Sequence, residues 1–191
     1  MNLATANSGC RRRTLLVTLL LTVILWTGVG WAGGASPITD ATIQAYFSPN
    51  GGCTEAVVQA LGKAQQSVKV QAYSFTSAPI AKALVDAHKR GVRVQVLLDK
   101  SQRTEKYSSA DFLAHAGIPT RIDAQHKIAH NKVMIIDKAV VITGSFNFTR
   151  GAEHDNAENL LVIQSKNLAA LYAENWEAHA AHAEPYEGRG R

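Results

Sequence analysis

Two short apolar runs, Val133–Ile136 and Val140–Thr143, stand either side of the turn residues Asp137-Lys138 and narrow the possible folds more than any other feature. Runs of four β-branched and apolar residues bounded by turn chemistry read as strands. Upstream, strand-like segments alternate with helix-like ones. Ile43–Phe47 is a strand, Ser48-Pro49-Asn50-Gly51-Gly52 is a turn, and Thr54 can cap a helix carrying Val57, Val58 and Leu61. Val68–Phe75 has period two. Pro79 opens a helix that runs to about Arg90 and stops at Gly91. Val92–Leu98 is a strand ending at Asp99, Ser108 or Ser109 opens a short helix to His115, and Pro119–Ile122 is a further short strand. Leu160–Ile163 follows, and Asn167–Ala181 reads as a last amphipathic helix with Leu168, Leu171, Tyr172 and Trp176 on one face. This alternation predicts an α/β layered domain, and the adjacent late strands predict a mixed sheet.

The first 35 residues read differently. Arg11-Arg12-Arg13 precedes an uncharged stretch from Thr14 to Ala35, densest in apolar residues at Leu15–Trp26 and ending in small residues. A basic region, a short apolar region and a small-residue exit describe a secretory signal peptide over residues 1–35, cut near 32–35. The alternative is an uncleaved anchor, but Thr and Gly interrupt the roughly 20 apolar residues a span needs. Export predicts a periplasmic or secreted protein with no stable membrane association after cleavage. Residues 36–185 form the working domain; the chain from Glu184 on is polar and Gly-rich and is expected to fray, with 186–191 a tail. The leader holds three of the 20 Lys and Arg and none of the 15 Asp and Glu, which leaves residues 33–191 at +2. So mild a charge allows contact with nucleic acid or anionic lipid and proves neither. Cys10 leaves with the leader and Cys53 is then alone; it reads as a small, partly buried side chain, with an intersubunit disulfide as the alternative.

Chemistry concentrates at His130-Asn131-Lys132, continued by Asp137 and by Gly144-Ser145-Phe146-Asn147. Imidazole is the side chain that changes charge near neutral pH, so it serves as nucleophile, base or acid. In a strand, residues i and i+2 share a face, which would bring His130 and Lys132 together. An ammonium beside an imidazole packs poorly, but it holds an anion that the imidazole can attack. Ser145 and Asn147 stand in the same relation and supply O–H and amide N–H donors for phosphate oxygens. Glu158 is a candidate to accept from a ring nitrogen of His130 and fix its tautomer, or is simply a surface acid. Asn156 is a weaker candidate, and Asp137 is as much a turn cap as a catalytic acid.

His130-x-Lys132-x4-Asp137-x6-Gly144-Ser145-x-Asn147 resembles the HKD motif of the phospholipase D superfamily, with the full spacing present. The short chain and the single motif are most similar to the small bacterial Nuc-type endonucleases of that superfamily. The resemblance implies an α/β/α sandwich with a mixed central sheet, and metal-independent phosphodiester cleavage with no cofactor. It also implies a covalent phosphohistidine on His130, with Lys132, Ser145 and Asn147 around the phosphate and Glu158 orienting a histidine. Superfamily members often carry two motifs per chain; this chain has one His-x-Lys only.

In-line displacement at phosphorus places attacking and leaving atoms on opposite sides, and an alkoxide leaving group needs a proton donor. One histidine cannot reach both sides. Two copies of His130 related by a twofold axis can, so a homodimer with the site on its axis is expected. His126 and His130, four apart, suit a metal pair, but Lys132 would repel a cation and no third ligand stands out, so no metal is expected. His126 would line the groove or bond locally, and His88, His115, His179 and His182 would face solvent. For a nucleic-acid substrate (DNA, with RNA open), Lys127, Lys132, Arg150 and Arg121 would track the backbone. Phe146, Phe148 or Tyr73 could stack on bases, although packing is the commoner role for such residues. The alternatives are a phospholipase or phosphatidyltransferase, for which no amphipathic membrane segment is visible, and a non-catalytic nucleic-acid-binding module, which would not need an imidazole.

Overall fold

The computed structural model describes residues 38–189, so the leader, its cut and Cys10 lie outside the described residues. Along the chain come β1 (Thr42–Ser48), α1 (Cys53–Lys63), β2 (Ser67–Ala72), α2 (Ala78–Lys89), β3 (Arg93–Asp99) and a 3-10 turn at Lys100–Arg103. Then follow α3 (Ala110–His115), β4 (Thr120–Asp123), β5 (Lys132–Ile136), β6 (Val140–Gly144), α4 (Arg150–His154), β7 (Glu158–Gln164), α5 (Lys166–His182) and β8 (Glu184–Tyr186).

The eight strands form one sheet in the order β1-β7-β6-β5-β2-β3-β4-β8. β2, β3 and β4 run parallel, and every other neighbouring pair is antiparallel. Parallel neighbours need crossovers, which α2 and α3 supply; β5 and β6 need only a turn. The register pairs Ile136 with Val140, so the turn is the three residues Asp137, Lys138 and Ala139, with left-handed φ at Asp137 (52°) and Lys138 (54°); three-residue hairpin loops commonly place a residue in that region.

Burial on both faces explains the continuous apolar strands. In β5, Met134 and Ile136 join a core with residues of α1, α2 and α3, while Val133 and Ile135 join a second core with Trp176 and Ala180 of α5. The Trp176 indole N–H also donates to the Val70 carbonyl at 2.9 Å, fixing α5 across the middle of the sheet. Helices therefore cover both faces, and the expected α/β/α sandwich with a mixed sheet is what the chain forms.

Several local readings change. β2 ends at Ala72; the Tyr73 N–H still bonds the Asn131 carbonyl in the β2–β5 register, and Phe75 keeps only an isolated bridge to Phe148. Thr54 caps nothing with its side chain; the Glu153 carboxylate takes the N–H groups of Gly52 and Thr54 at 3.1 and 2.6 Å. Leu171 of α5 is exposed, not part of the buried face. The segment expected to fray from Glu184 instead supplies β8, paired with β4, and Tyr186 and Arg189 both bond Asp111 of α3. Three paired residues are too few to show a period. Cys53 is fully buried, and burial first, then the Glu153 charge, push its thiol up to about 11, so an intersubunit disulfide has no accessible sulfur. No helix among the described residues is long and apolar enough to cross a membrane.

Candidate active site

Strand direction collects the polar residues. β5 and β7 begin, and β2 and β6 end, at the same edge of the sheet. Lys132 therefore lies beside Ala72 at the end of β2, and Glu158 lies beside Ser48 at the end of β1. Past β6, the chain places Ser145 against Asn159 of β7, with Asn159 N–H and Nδ2 both donating to the Ser145 oxygen at 3.0 and 3.2 Å. That leaves the Ser145 hydroxyl hydrogen to be donated outward.

His130 is not in β5, as the i, i+2 reading required, but in the loop just before it. Its ring packs on Tyr73 with centroids 4.5 Å apart, and Lys132 Nζ lies 5.0 Å from the same Tyr73 ring. Lys132 Nζ also donates to the His130 carbonyl at 2.9 Å. The two groups converge through a shared aromatic wall and a main-chain bond. Burial lowers the Lys132 pKa, and the Glu158 charge acts in the opposite direction. The His130 loop is tied from below as well: the Ala129 N–H donates to the buried Asp99 carboxylate at 2.7 Å.

Other candidates stand as follows. Within one chain, among the described residues, Glu158 accepts from Asn156 Nδ2 at 3.2 Å and from no histidine. Asn156 also accepts, through its carbonyl, from the Ser48 hydroxyl at 2.9 Å. Asn147 is half-buried, and its Oδ1 is buried with no partner among the described residues, a state that buried polar atoms seldom keep without a reason. Lys127 is exposed in the His130 loop, and Arg150, exposed at the start of α4, lines a cleft with Thr54, Thr76 and Ser77.

Four expectations are corrected. Asp137 ends β5 at the opposite edge, one strand length (about 17 Å at roughly 3.4 Å per residue) from the site. There it accepts from Gln65, Gln66 and Ser67 N–H at 2.8, 2.7 and 2.9 Å, so it is a turn cap. Phe146 and Phe148 are fully buried and cannot stack on a base. Arg121 gives its guanidinium to the Ala180 carbonyl at 2.8 Å. His179 and His182, expected to face solvent, meet at Asp123, where His126 makes the local bond that was one reading of it. Asn159 and Asp99 carry no sequence signal for their place in the site, beyond the end of an apolar run at Asp99, and Tyr73 takes the packing role, as the wall for His130 and Lys132.

Residues 57–180 match the family described as cardiolipin synthase, PLD-like domain. The phospholipase D of Rickettsia prowazekii is 45% identical over 141 residues, covering 74% of this chain and 69% of that protein. The mitochondrial cardiolipin hydrolase of Mus musculus is 33% identical over 151 residues, covering 73% of this chain and 68% of that protein. Among solved structures, the phospholipase D family member Nuc from Salmonella typhimurium superposes with a TM-score of 0.75 at 39% identity, covering 78% of this chain and all of that one.

Proposed function

Because this chain belongs to the phospholipase D superfamily, we propose that it is an exported, metal-independent endonuclease that cleaves DNA, or RNA, through a covalent phosphohistidine. As a member of that superfamily it is a phosphodiesterase. The observation that carries the finer reading is the openness of the site. His130 and Ser145 are both exposed at the same end of the sheet's strands, and exposed Lys127 belongs to the His130 loop. A polymer backbone can lie across that end without threading a pocket. Likeness to Nuc supports the same substrate class.

A ring nitrogen of His130 attacks phosphorus, and the P–O bond to the leaving oxygen breaks. His130 of a second copy gives that oxygen its proton, then takes one from water as the water oxygen displaces the P–N bond. Lys132, the Ser145 hydroxyl and Asn147 hold the non-bridging oxygens as charge builds. Burial lowers the Lys132 pKa, and the Glu158 charge opposes that by favouring the ammonium form. Support for the homodimer comes from β1, an edge strand that exposes Ile43 and Phe47 (58% and 66%), with Phe47 paired to Asn159. A monomer rarely leaves such a strand uncovered.

Lipid cleavage is the second reading. It is favoured by the likeness to the Rickettsia enzyme and by Ile128, two residues before His130 and 51% exposed. Plasmid DNA and phospholipid vesicles, each with excess EDTA, separate the two. Nicking that survives chelation and is lost in His130→Ala supports the endonuclease. Head-group release without nicking transfers the same chemistry to lipid, and DNA retardation without cleavage would overturn both.

A further inference from the structure

Asp123, at the end of β4, has a side chain only 1% exposed and is ringed by three imidazoles. His179 Nδ1 lies 2.7 Å from Oδ2, His126 Nδ1 lies 3.2 Å from either oxygen, and His182 Nε2 lies 3.2 Å from Oδ1. One ligating atom from each of the four residues lies within 4.8 Å of the other three. The ring centroids are 4.8, 5.4 and 5.5 Å apart. His179 and His182 come from one turn of α5, where residues three apart share a face. His126 comes from the loop after β4, and its carbonyl is held by Lys100 Nζ at 3.0 Å.

Asp123 also accepts the Gln125 N–H at 3.2 Å. Three imidazolium rings this close would repel one another, whereas neutral rings that each present one nitrogen lone pair make, with the carboxylate, a four-ligand set for a dication that prefers nitrogen. Tetrahedral zinc, with bonds of about 2.0–2.2 Å, sets neighbouring ligand atoms roughly 3.4 Å apart; His126 and His182 stand at 3.2 Å from Asp123, and His179, at 2.7 Å, would move outward. The wider separations can close because His126 and His182 are 44% and 30% exposed and free to rotate inward. Calcium and magnesium, which take oxygen ligands, do not suit such a set.

We propose that Asp123, His126, His179 and His182 form a structural binding site for one zinc ion, which clips α5 and the His130 loop to the end of β4. The ion would sit outside the reaction. In the order β5-β2-β3-β4, Asp123 is three strands from Lys132, about 14 Å at roughly 4.8 Å per strand. It would instead fix the base of the loop, four residues before His130, while Asp99 fixes it at Ala129.

The full mature chain, stripped with a chelator and gel-filtered, is loaded with zinc sulfate or cobalt chloride. The expected result is one zinc per chain by elemental analysis, an intense visible tetrahedral cobalt spectrum, and a rise in Tm of roughly 5 °C. All three should vanish in the double variant His179→Ala/His182→Ala and persist in His88→Ala. Should the double variant fail to fold, His126→Ala, altered only in an exposed loop, should weaken zinc binding tenfold or more. Retention below half an equivalent, a pale octahedral cobalt spectrum, or unchanged affinity in His126→Ala would overturn the site. DNA cleavage enters none of these readouts, so the zinc site and the nuclease reading fail separately.

Discussion

Gly144 has φ +150°, and a Cβ there would meet the Asn159 carbonyl oxygen at 2.2 Å. The glycine lets β6 run close against β7 and brings Ser145 under the two Asn159 donors. Asn159 therefore acts as a positioning residue: it occupies the acceptor side of Ser145 and turns the hydrogen outward. Asn159→Ala keeps the main-chain donor and loses the side-chain one. The expected result is a fall in kcat of about tenfold, equivalent to about 1.4 kcal/mol, with KM within twofold and Tm unchanged; a change in KM alone would argue against the role. Spacing in the chain displays Gly144, Ser145 and Asn147, because close chain neighbours leave a local pattern. It does not display Asn159, whose link to Ser145 spans 14 residues and two strands. The same holds for Tyr73, which reaches His130 from just past the end of β2.

Among the elements, the apolar strands β2, β3 and β5 were legible because they are largely buried, and the short turn after Ile136 set β6 beside β5. What stayed hidden was short or depended on distant partners. α4 is five residues long, and its use lies in Glu153, which is buried and caps α1 across 99 positions of sequence. The N–H groups at a helix start need such an acceptor. Glu153→Ala should lower stability by about 1–2 kcal/mol, read from denaturant midpoints, with cleavage per folded molecule unchanged; an equal loss in Thr54→Ala would point to the wrong cap. β8 was hidden in the same way, since Asp111 holds it from α3. Burial would raise the Asp111 pKa, but hydrogen bonds from Tyr186 and from the Arg189 main chain and guanidinium outweigh it and set the value at about 2. A carboxylate lowered from 3.8 to about 2 adds stability that is present in full above 3.8 and is lost as pH falls through 2. The Tm advantage of wild type over Asp111→Asn should thus be constant near neutrality, shrink between about pH 4 and 2, and vanish below. An advantage that persists at lower pH would refute the assignment.

At the scale of the whole molecule, the proposed twofold dimer would account for both the single histidine motif and the exposed edge of β1. One chain presents His130 at an open end of the sheet, and stepwise displacement at phosphorus needs an acid opposite the nucleophile. Ile43 and Phe47 offer an apolar seam beside Glu158 and Asn159, where a second copy would bring its own His130 to the far side of the phosphate. A twofold contact uses the same patch twice, so Phe47→Asp would place like charges against each other and should yield a folded monomer by size exclusion with cleavage reduced at least a hundredfold. A monomer as active as wild type would refute the shared site. Mixed assemblies give the stricter test. If each dimer needs both imidazoles, one attacking and one donating the proton, then a dimer with one His130→Ala chain is inactive in either orientation. Activity after subunits exchange should then fall as the square of the wild-type fraction. Independent sites would give a straight line, and equal mixing separates the two: about a quarter of full activity if the pair works as a unit, about half if each chain works alone.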